Sequence, residues 1–163
     1  MSAPRRVLIV CHANTSRSII AEAVLLRLLA SRGLDGRVTV SSGGIAPFAR
    51  DGSLVSLDAR FVLREIGIDL PEGAGATDLK RHRDHIEAAD LIIAMTEEQR
   101  AQLTARFPES AGKRVVLIRE LVGETGDIED PSMKDEDVFR FCRDEIVRCL
   151  DAGLERLLAH LEE

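Results

Sequence analysis

Four short, largely apolar runs recur along the chain, and a stretch with helical periodicity follows each of them. The runs cover residues 7–10, 38–41, 91–94 and 115–118. Their apolar character is continuous rather than alternating, apart from Thr39 and Ser41 in the second run, and this is typical of strands buried on both faces of a parallel sheet. We therefore predict four parallel strands at these positions.

The segments between these runs have the periodicity and the end signals of helices. Residues 19–29 are apolar almost all round, which predicts a buried helix, and residues 54–66 are predicted to form a second helix. Thr96 and Gln99 have capping-box spacing at the start of a third helix. Apolar residues three and four apart predict one last helix over about 135–161.

The alternation of strands and helices sets the fold class. Right-handed crossovers between parallel strands place helices on both faces of a sheet. Because the sequence has no internal repeat and no linker, residues 1–163 are predicted to form a single doubly wound α/β domain with a four-stranded parallel sheet. In such sheets, ligands bind beyond the carboxyl ends of the strands, at a switch point in strand order. The end of the first strand carries Cys11, so a site is expected there.

Composition and charge narrow the classes of function. The 163 residues are 45% hydrophobic and 31% charged, as in ordinary globular proteins. A formal net charge of −6 disfavours nucleic acid and anionic membrane surfaces as partners. No apolar run approaches the ~20 residues that span a bilayer, and no signal-peptide pattern is found. Three cysteines in a chain that needs no disulfides favour the reducing cytoplasm.

A loop that suits a tetrahedral anion follows the first strand. Cys11 and Arg17 are separated by five residues, between the strand and the first predicted helix. A loop of this length can curl so that its N–H groups point inward, where the start of the helix adds its own N–H groups and dipole. We expect phosphate to bind to this loop, which comprises His12, Ala13, Asn14, Thr15, Ser16, Arg17 and Ser18. A Walker A loop is excluded, because Gly-Lys-Ser/Thr is missing.

Several side chains of this loop have the chemistry of a covalent phosphatase. Cys11 is a nucleophile as its thiolate, which a helix N-terminus and nearby cations favour. Arg17 offers a planar fork that grips two phosphoryl oxygens at once. Ser18 can donate a hydrogen bond to the thiolate. Asn14 tolerates a left-handed backbone and can brace the loop through its amide.

These residues resemble a known family signature. The segment 7–24, which contains Arg17-Ser18 and Ala21-Glu22-Ala23, is similar to the phosphate loop of low-molecular-weight protein tyrosine phosphatases and related arsenate reductases. Ser41-Ser42-Gly43 resembles the family's Ser-Ala-Gly segment, residues 90–95 resemble its third strand, and Asp130-Pro131 resembles its acid loop. The resemblance spans nearly the whole chain.

The resemblance implies a role for each matching residue. Cys11 would be the nucleophile, Arg17 the phosphate clamp and Asp130 the general acid and base. Ser41 would support the phosphate loop through Asn14. The family's reaction proceeds through a phosphocysteine and uses no cofactor and no metal. It implies a phosphorylated protein as substrate, with inorganic phosphate as product and inhibitor, and we expect a monomer or a weak dimer.

The acid loop is consistent with this role on chemical grounds. Pro131 keeps the backbone of Asp130 extended, so its carboxyl can project from a loop instead of joining a helix. An acid that protonates the leaving oxygen commonly accelerates such a reaction by roughly 10²–10⁴-fold. The alternative is that Asp127, Glu129 and Asp130 form only a solvated acidic turn.

The sequence departs from the family where the substrate side chain would lie. Family members usually carry aromatics after Asp-Pro, but Ser132 and Met133 stand here, and the chain has neither Tyr nor Trp. Phe48 is the best candidate for an aromatic wall, with ordinary packing as the alternative. Thr15 resembles the branch of the family that acts on phosphoarginine. Phosphotyrosine is the primary expectation, and phosphoarginine is the alternative.

Other functions are less consistent with the sequence. Arsenate reduction of this kind needs further thiols, yet no cysteine lies between Cys11 and Cys142, which we expect to be a core residue like Cys149. A non-catalytic phosphate-binding protein is conceivable, since Ala13 replaces a family glycine and would be strained by a left-handed backbone. The segment around His82 and His85 is rich in cations, which predicts a basic helix rather than a metal site.

Overall fold

The four predicted strands form a parallel sheet at the centre of the fold. A computed structural model describes residues 3–162 of the chain. The strands are β1 (Arg5–Cys11), β2 (Val38–Gly44), β3 (Leu91–Ala94) and β4 (Val115–Leu117), in the spatial order β2-β1-β3-β4. All three strand pairs are parallel, as predicted. The direction of chain progression reverses beside β1, so Cys11 lies at the switch point.

Helices connect the strands and complete the chain. They are α1 (Arg17–Ser31), α2 (Leu57–Glu65), α3 (Arg83–Ala88), α4 (Glu97–Arg106), α5 (Glu136–Ala152) and α6 (Leu154–Glu162), with short 3₁₀ turns at Pro108–Ser110 and Ile118–Val122. The second helix is shorter than the predicted 54–66, because the Ser56 hydroxyl caps it by accepting a hydrogen bond from the Ala59 N–H at 3.3 Å. Thr96 caps α4 in the same way, as its spacing from Gln99 predicts.

Alternate residues of β1 belong to cores on opposite faces of the sheet. Val7, Ile9 and Cys11 join the core formed with α1, α2, α5 and α6. Leu8 and Val10 join the core formed with α3 and α4. The prediction of a doubly wound α/β fold with helices on both faces is therefore confirmed, and both faces of β1 are buried.

The last helical segment is two helices, where the sequence predicts one over 135–161. The break lies at Gly153, between α5 and α6. A side chain at this position would come within 2.6 Å of the Leu121 Cβ and 2.9 Å of its carbonyl oxygen, and it would also collide with the Cys149 carbonyl. Close approach of the helix junction to Leu121 thus requires glycine. The apolar periodicity continues across the break, which is why the pattern alone does not reveal it.

Within residues 3–162, no helix is both long enough and apolar enough to cross a bilayer.

Candidate active site

Cys11 lies at the point where β1 ends and the phosphate loop begins. Its sulfur is within 2.8 Å of the Ser18 hydroxyl oxygen and accepts a hydrogen bond from the Asn14 N–H at 3.3 Å. The residue is only 3% exposed, since its backbone and the base of its side chain belong to the central strand. Hydrogen bonds to the sulfur favour its charged form.

Asn14 braces the loop from within. Its backbone is left-handed, with φ of 62°, and its side-chain Oδ1 accepts a hydrogen bond from the Thr77 N–H at 2.8 Å. Its Nδ2 donates to the Ser18 hydroxyl at 2.7 Å and to the Ser42 hydroxyl at 2.9 Å. The predicted bracing by Asn14 is therefore present in the structure.

The expected strain at Ala13 is absent. In the described part of the chain, Asn14 and Met133 alone among non-glycine residues have positive φ. The loop makes its left-handed turn one residue later than Ala13, at a side chain that tolerates it. Alanine at position 13 therefore does not count against a working phosphate loop.

The serine that supports Asn14 is Ser42, and the assignment to Ser41 is wrong. Ser42 pairs in register with Ile9, so both point towards the core that contains α1. Ser41 pairs with Leu8, which belongs to the opposite core. Successive side chains of a strand point to opposite faces, and a shift of one residue therefore exchanges the faces.

Three other loop residues are held chiefly by their backbones. The His12 carbonyl accepts a hydrogen bond from the Ala46 N–H at 3.0 Å, and the Thr15 carbonyl accepts one from the Ser56 N–H at 2.9 Å. The Ser16 carbonyl accepts the Ile20 N–H at 2.9 Å, which begins α1. The His12 Nε2 and the Ser16 hydroxyl are buried and have no hydrogen-bond partner among residues 3–162.

Arg17 connects the phosphate loop to the acid loop. Its side chain is 4% exposed, and Nη1 donates to the Ile128 carbonyl at 2.8 Å. The N–H of Ile128 in turn donates to the Met95 carbonyl at 2.9 Å, directly after β3. Sequence reasoning missed Ile128, because its contacts with Arg17 and Met95 are made by its backbone and not by its side chain. Its one visible signal was a lone apolar residue within an acidic segment.

Asp130 faces Arg17 across the site. Its Oδ2 lies 3.7 Å from the Arg17 Nη2, while Oδ1 accepts the Ser132 N–H at 3.0 Å, and the side chain is 51% exposed. Partial burial favours the neutral acid, but hydrogen bonds from Ser132 and the charges of Arg17 and His12 outweigh it and lower the pKa of Asp130. The carboxylate is therefore ionised at neutral pH in the free protein.

Exposed apolar side chains lie on the loops that contact the phosphate loop. Phe48 is 68% exposed and follows Ala46, whose N–H binds the His12 carbonyl. Leu54, two residues before Ser56, and Leu57, the first residue of α2, are also exposed, and Met133 is fully exposed beside the acid loop. Phe48 is thus not an ordinary core residue, and it is free to serve as a wall for a substrate.

The two remaining cysteines are buried on α5 and unbonded, as predicted. Desolvation raises the pKa of Cys142 to about 12, and it also raises the pKa of Cys149. Neither thiol is suited to act as a nucleophile near neutral pH.

Among residues 3–162, one group of side chains that are able to ligate a metal lies outside this site. His82, Asp84 and His85 bring ligand atoms within 4.8 Å of one another. His82 Nε2 is already 2.8 Å from Asp51 Oδ2, and cationic residues flank the group in the sequence. The phosphate loop and the acid loop contribute no residue to it.

The fold and the site together define an α/β protein with a cysteine at the end of its central strand and an arginine at the start of the following helix. Comparison with known proteins gives the family. A sequence model described as low molecular weight phosphotyrosine protein phosphatase matches residues 6–163. The chain belongs to this family.

Relatives within the family carry two kinds of name. The chain is 37% identical to a protein-arginine-phosphatase of Geobacillus stearothermophilus over 154 residues, covering 94% of this chain and 97% of the relative. It is 33% identical to the low molecular weight protein-tyrosine-phosphatase PtpB of Staphylococcus haemolyticus over 135 residues, covering 83% and 87%. The structure of the YwlE arginine phosphatase from Geobacillus stearothermophilus is similar with a TM-score of 0.81, at 35% identity and with 96% and 94% of the two chains covered.

Proposed function

We propose that this protein is a cysteine-dependent phosphatase that hydrolyses phosphotyrosine in proteins. The observation that carries the proposal is that Asp130, from a distant segment, faces Arg17 of the strand–loop–helix segment that also holds Cys11. Covalent phosphoryl transfer needs a nucleophile, a cation and an acid. These are present as a sulfur with two hydrogen-bond partners, a buried guanidinium, and a half-exposed carboxylate 3.7 Å from that guanidinium.

In the first step, the Cys11 sulfur attacks phosphorus in line and the bond to the leaving oxygen breaks. Arg17 and the N–H groups of the loop stabilise charge on the three non-bridging oxygens. Protonated Asp130 transfers its proton to the leaving oxygen, so the tyrosine departs as the neutral phenol. The product of this step is a phosphocysteine and an Asp130 carboxylate.

In the second step, the Asp130 carboxylate takes a proton from water as the water oxygen attacks phosphorus. The sulfur–phosphorus bond breaks, and Cys11 leaves as a thiolate, which the Ser18 hydroxyl stabilises at 2.8 Å. Inorganic phosphate is the product, and it binds the same loop as a competitive inhibitor. The active-site groups are then restored.

Substrate binding itself prepares the acid. Arg17 is one of the groups that lower the pKa of Asp130 in the free protein. A phosphate dianion on Arg17 offsets that positive charge and brings negative charge near the carboxylate, and both effects favour protonation of Asp130. The acid is therefore formed chiefly in the complex with substrate.

Phosphoarginine is the second candidate substrate. Thr15 supports it, because its carbonyl is fixed by the Ser56 N–H at 2.9 Å and its half-buried side chain carries a hydroxyl where tyrosine-specific members carry an apolar group. Ser132 and Met133 replace the usual aromatics, and a relative covering 94% of this chain is named a protein-arginine-phosphatase.

The decisive experiment compares wild type, Cys11→Ser and Asp130→Ala on p-nitrophenyl phosphate in the presence of EDTA. We expect activity in wild type, none in Cys11→Ser, and a loss of roughly 10²-fold in Asp130→Ala. Turnover by Cys11→Ser at the wild-type rate would disprove the covalent mechanism. Parallel kcat/KM values for matched phosphotyrosine and phosphoarginine peptides, with Thr15→Ile as the specificity variant, decide between the substrates.

The cellular setting is part of the same proposal. A reducing cytoplasm keeps Cys11 reduced and so able to act as a nucleophile. A monomer or weak dimer leaves the phosphate loop free for protein substrates. Sedimentation at several concentrations tests the oligomeric state.

A further inference from the structure

The direction of every hydrogen bond around Asn14 follows from one backbone contact. The Thr77 N–H is a donor only, so the Asn14 atom that it binds at 2.8 Å is the carbonyl Oδ1. The amide nitrogen therefore faces Ser18 and Ser42, and it has one hydrogen for each. Both serine oxygens accept from Asn14.

The Ser18 hydroxyl has a single hydrogen, and this hydrogen is not used in the contact with Asn14, in which the hydroxyl is the acceptor. Ser18 accepts from Asn14 at 2.7 Å, so its own hydrogen points to the Cys11 sulfur at 2.8 Å. Ser18 is thus the donor in the contact with Cys11, and it stabilises the thiolate rather than the thiol.

The Ser42 hydroxyl also has one hydrogen left, and its acceptor is Glu22. Ser42 is buried, and its hydroxyl donates to Glu22 Oε1. Glu22 lies on α1, one turn after Ser18, and is half-buried. Burial raises the pKa of Glu22 and outweighs the opposing effect of the hydrogen bond from Ser42. A continuous chain of hydrogen bonds therefore runs from Glu22 through Ser42, Asn14 and Ser18 to the sulfur.

We propose that Glu22 is a positioning residue for the Cys11 thiolate, acting through Ser42 and Asn14. It accepts the only hydrogen of Ser42 and so keeps a lone pair of that hydroxyl directed at the Asn14 amide. The proposal rests on the proposed function, in which Cys11 is the nucleophile. It gives a chemical role to a carboxylate that does not contact the substrate site.

Loss of the acceptor has a defined consequence. Without Glu22 Oε1, the buried Ser42 hydroxyl lacks an acceptor among its described contacts, and turning its hydrogen towards Asn14 opposes the amide donor. The Asn14 amide then holds Ser18 less firmly, and the hydrogen bond that the Ser18 hydroxyl donates to the sulfur weakens. The negative charge of Glu22 has the opposite effect, because a nearby anion disfavours the thiolate.

Loss of the hydrogen-bond acceptor disfavours the thiolate, whereas loss of the negative charge favours it, so variants of Glu22 distinguish the two effects. Alkylation of Cys11 by iodoacetamide is followed from pH 4 to 9 in wild type, Glu22→Leu, Glu22→Gln and Ser42→Ala. Glu22→Leu and Ser42→Ala should move the midpoint of the rate profile to higher pH, with about three- to tenfold slower alkylation at pH 6. Glu22→Gln keeps a carbonyl acceptor without the charge, so its midpoint should equal the wild-type value or lie below it.

A double variant tests whether Glu22 acts through Ser42. Glu22→Leu combined with Ser42→Ala should alkylate within about twofold of Ser42→Ala alone, because residues in one network are not additive. Additive losses would overturn the proposal. So would a Glu22→Leu midpoint at or below that of wild type, which is what removal of charge alone gives.

Glu65→Leu is the control for general destabilisation. Glu65 is a partly exposed carboxylate paired with Arg140 and Arg143 at the far end of α2, and its loss should leave Cys11 alkylation unchanged. Hydrolysis of p-nitrophenyl phosphate by wild type is measured in parallel. An inactive wild type with the predicted alkylation shifts would contradict the proposed function alone, whereas an active wild type without them would contradict only the role of Glu22.

Discussion

The Arg17 guanidinium lies 3.7 Å from the Asp130 carboxylate, and it is also fixed by the Ile128 carbonyl two residues earlier. One cation thus anchors the acid loop and faces the proposed acid. In the free protein, this arrangement favours an ionised Asp130, and in the proposed mechanism a bound substrate dianion favours its protonation.

The lowered pKa of Asp130 predicts a pH-dependent contribution to folding. A carboxyl whose folded pKa is depressed stabilises the fold above its unfolded pKa, and this contribution is lost as pH falls through the folded pKa. The difference in unfolding free energy between wild type and Asp130→Asn should therefore be larger at pH 6 than at pH 3. Urea titrations in buffers without phosphate or sulfate measure it. A difference that grows towards low pH would contradict the assignment.

Replacing Arg17 with lysine should weaken phosphate binding and catalysis together. Lysine keeps the charge but has one donor centre, so it cannot hold two phosphoryl oxygens and the Ile128 carbonyl at once. We expect kcat/KM for p-nitrophenyl phosphate to fall by roughly 10²-fold. The rise of Tm on adding phosphate, present in wild type, should vanish.

Arg27→Lys is the matched control for that variant. Arg27 also donates to a backbone carbonyl, that of Ile66, but on an exposed face of α1. Its replacement should leave kcat/KM within about twofold of wild type, as expected for a surface substitution. Equal losses in the two variants would mean that Arg17 acts only as a structural residue.

The phosphate loop packs directly against the end of β2 at Gly44. A Cβ at this position would come within 2.7 Å of the His12 carbonyl oxygen and 2.9 Å of the Ala13 carbonyl carbon. Gly44→Ala should therefore displace the loop, lower stability by roughly 1–3 kcal/mol and reduce phosphatase activity. Gly36→Ala adds a methyl group in open space and should change neither quantity. Thermal melts and p-nitrophenyl phosphate assays of both variants test this.

Alkylation at neutral pH should modify a single cysteine. Cys142 and Cys149 are buried and their pKa values are raised, that of Cys142 to about 12, whereas Cys11 has two hydrogen-bond partners at its sulfur. Intact mass after iodoacetamide treatment should increase by one adduct in wild type and by none in Cys11→Ser. Modification of Cys142 in the folded protein would contradict its assignment to the core.

The features that sequence reasoning recovered are those encoded by neighbouring residues. Cys11, Asn14, Arg17 and Ser18 lie within one strand–loop–helix segment, so their spacing alone predicts that they meet. Pro131 likewise marks the extended backbone of Asp130. The buried strands were predictable because their apolar runs are short, rich in Val and Ile, and each is followed by a helical pattern.

The features that were missed depend on contacts between distant segments. Ser41 and Ser42 are adjacent and identical in type, and only the register of β2 against β1 decides which one faces Asn14. Ile128 contributes a carbonyl, which every residue has. Gly153 breaks the last helix because Leu121 passes close by, and no local pattern encodes that approach.

Both backbone groups of Ile128 are engaged, one with the end of β3 and the other with Arg17. The acid loop therefore has a fixed origin that is independent of the side chains beyond it. Residues 132–134 are therefore open to exchange for those of another family member while Asp130 and the point from which the loop emerges stay in place. The part of substrate preference that these side chains set is thus separable from the proposed phosphoryl chemistry, and a chimera of this short segment would change the first without rebuilding the second.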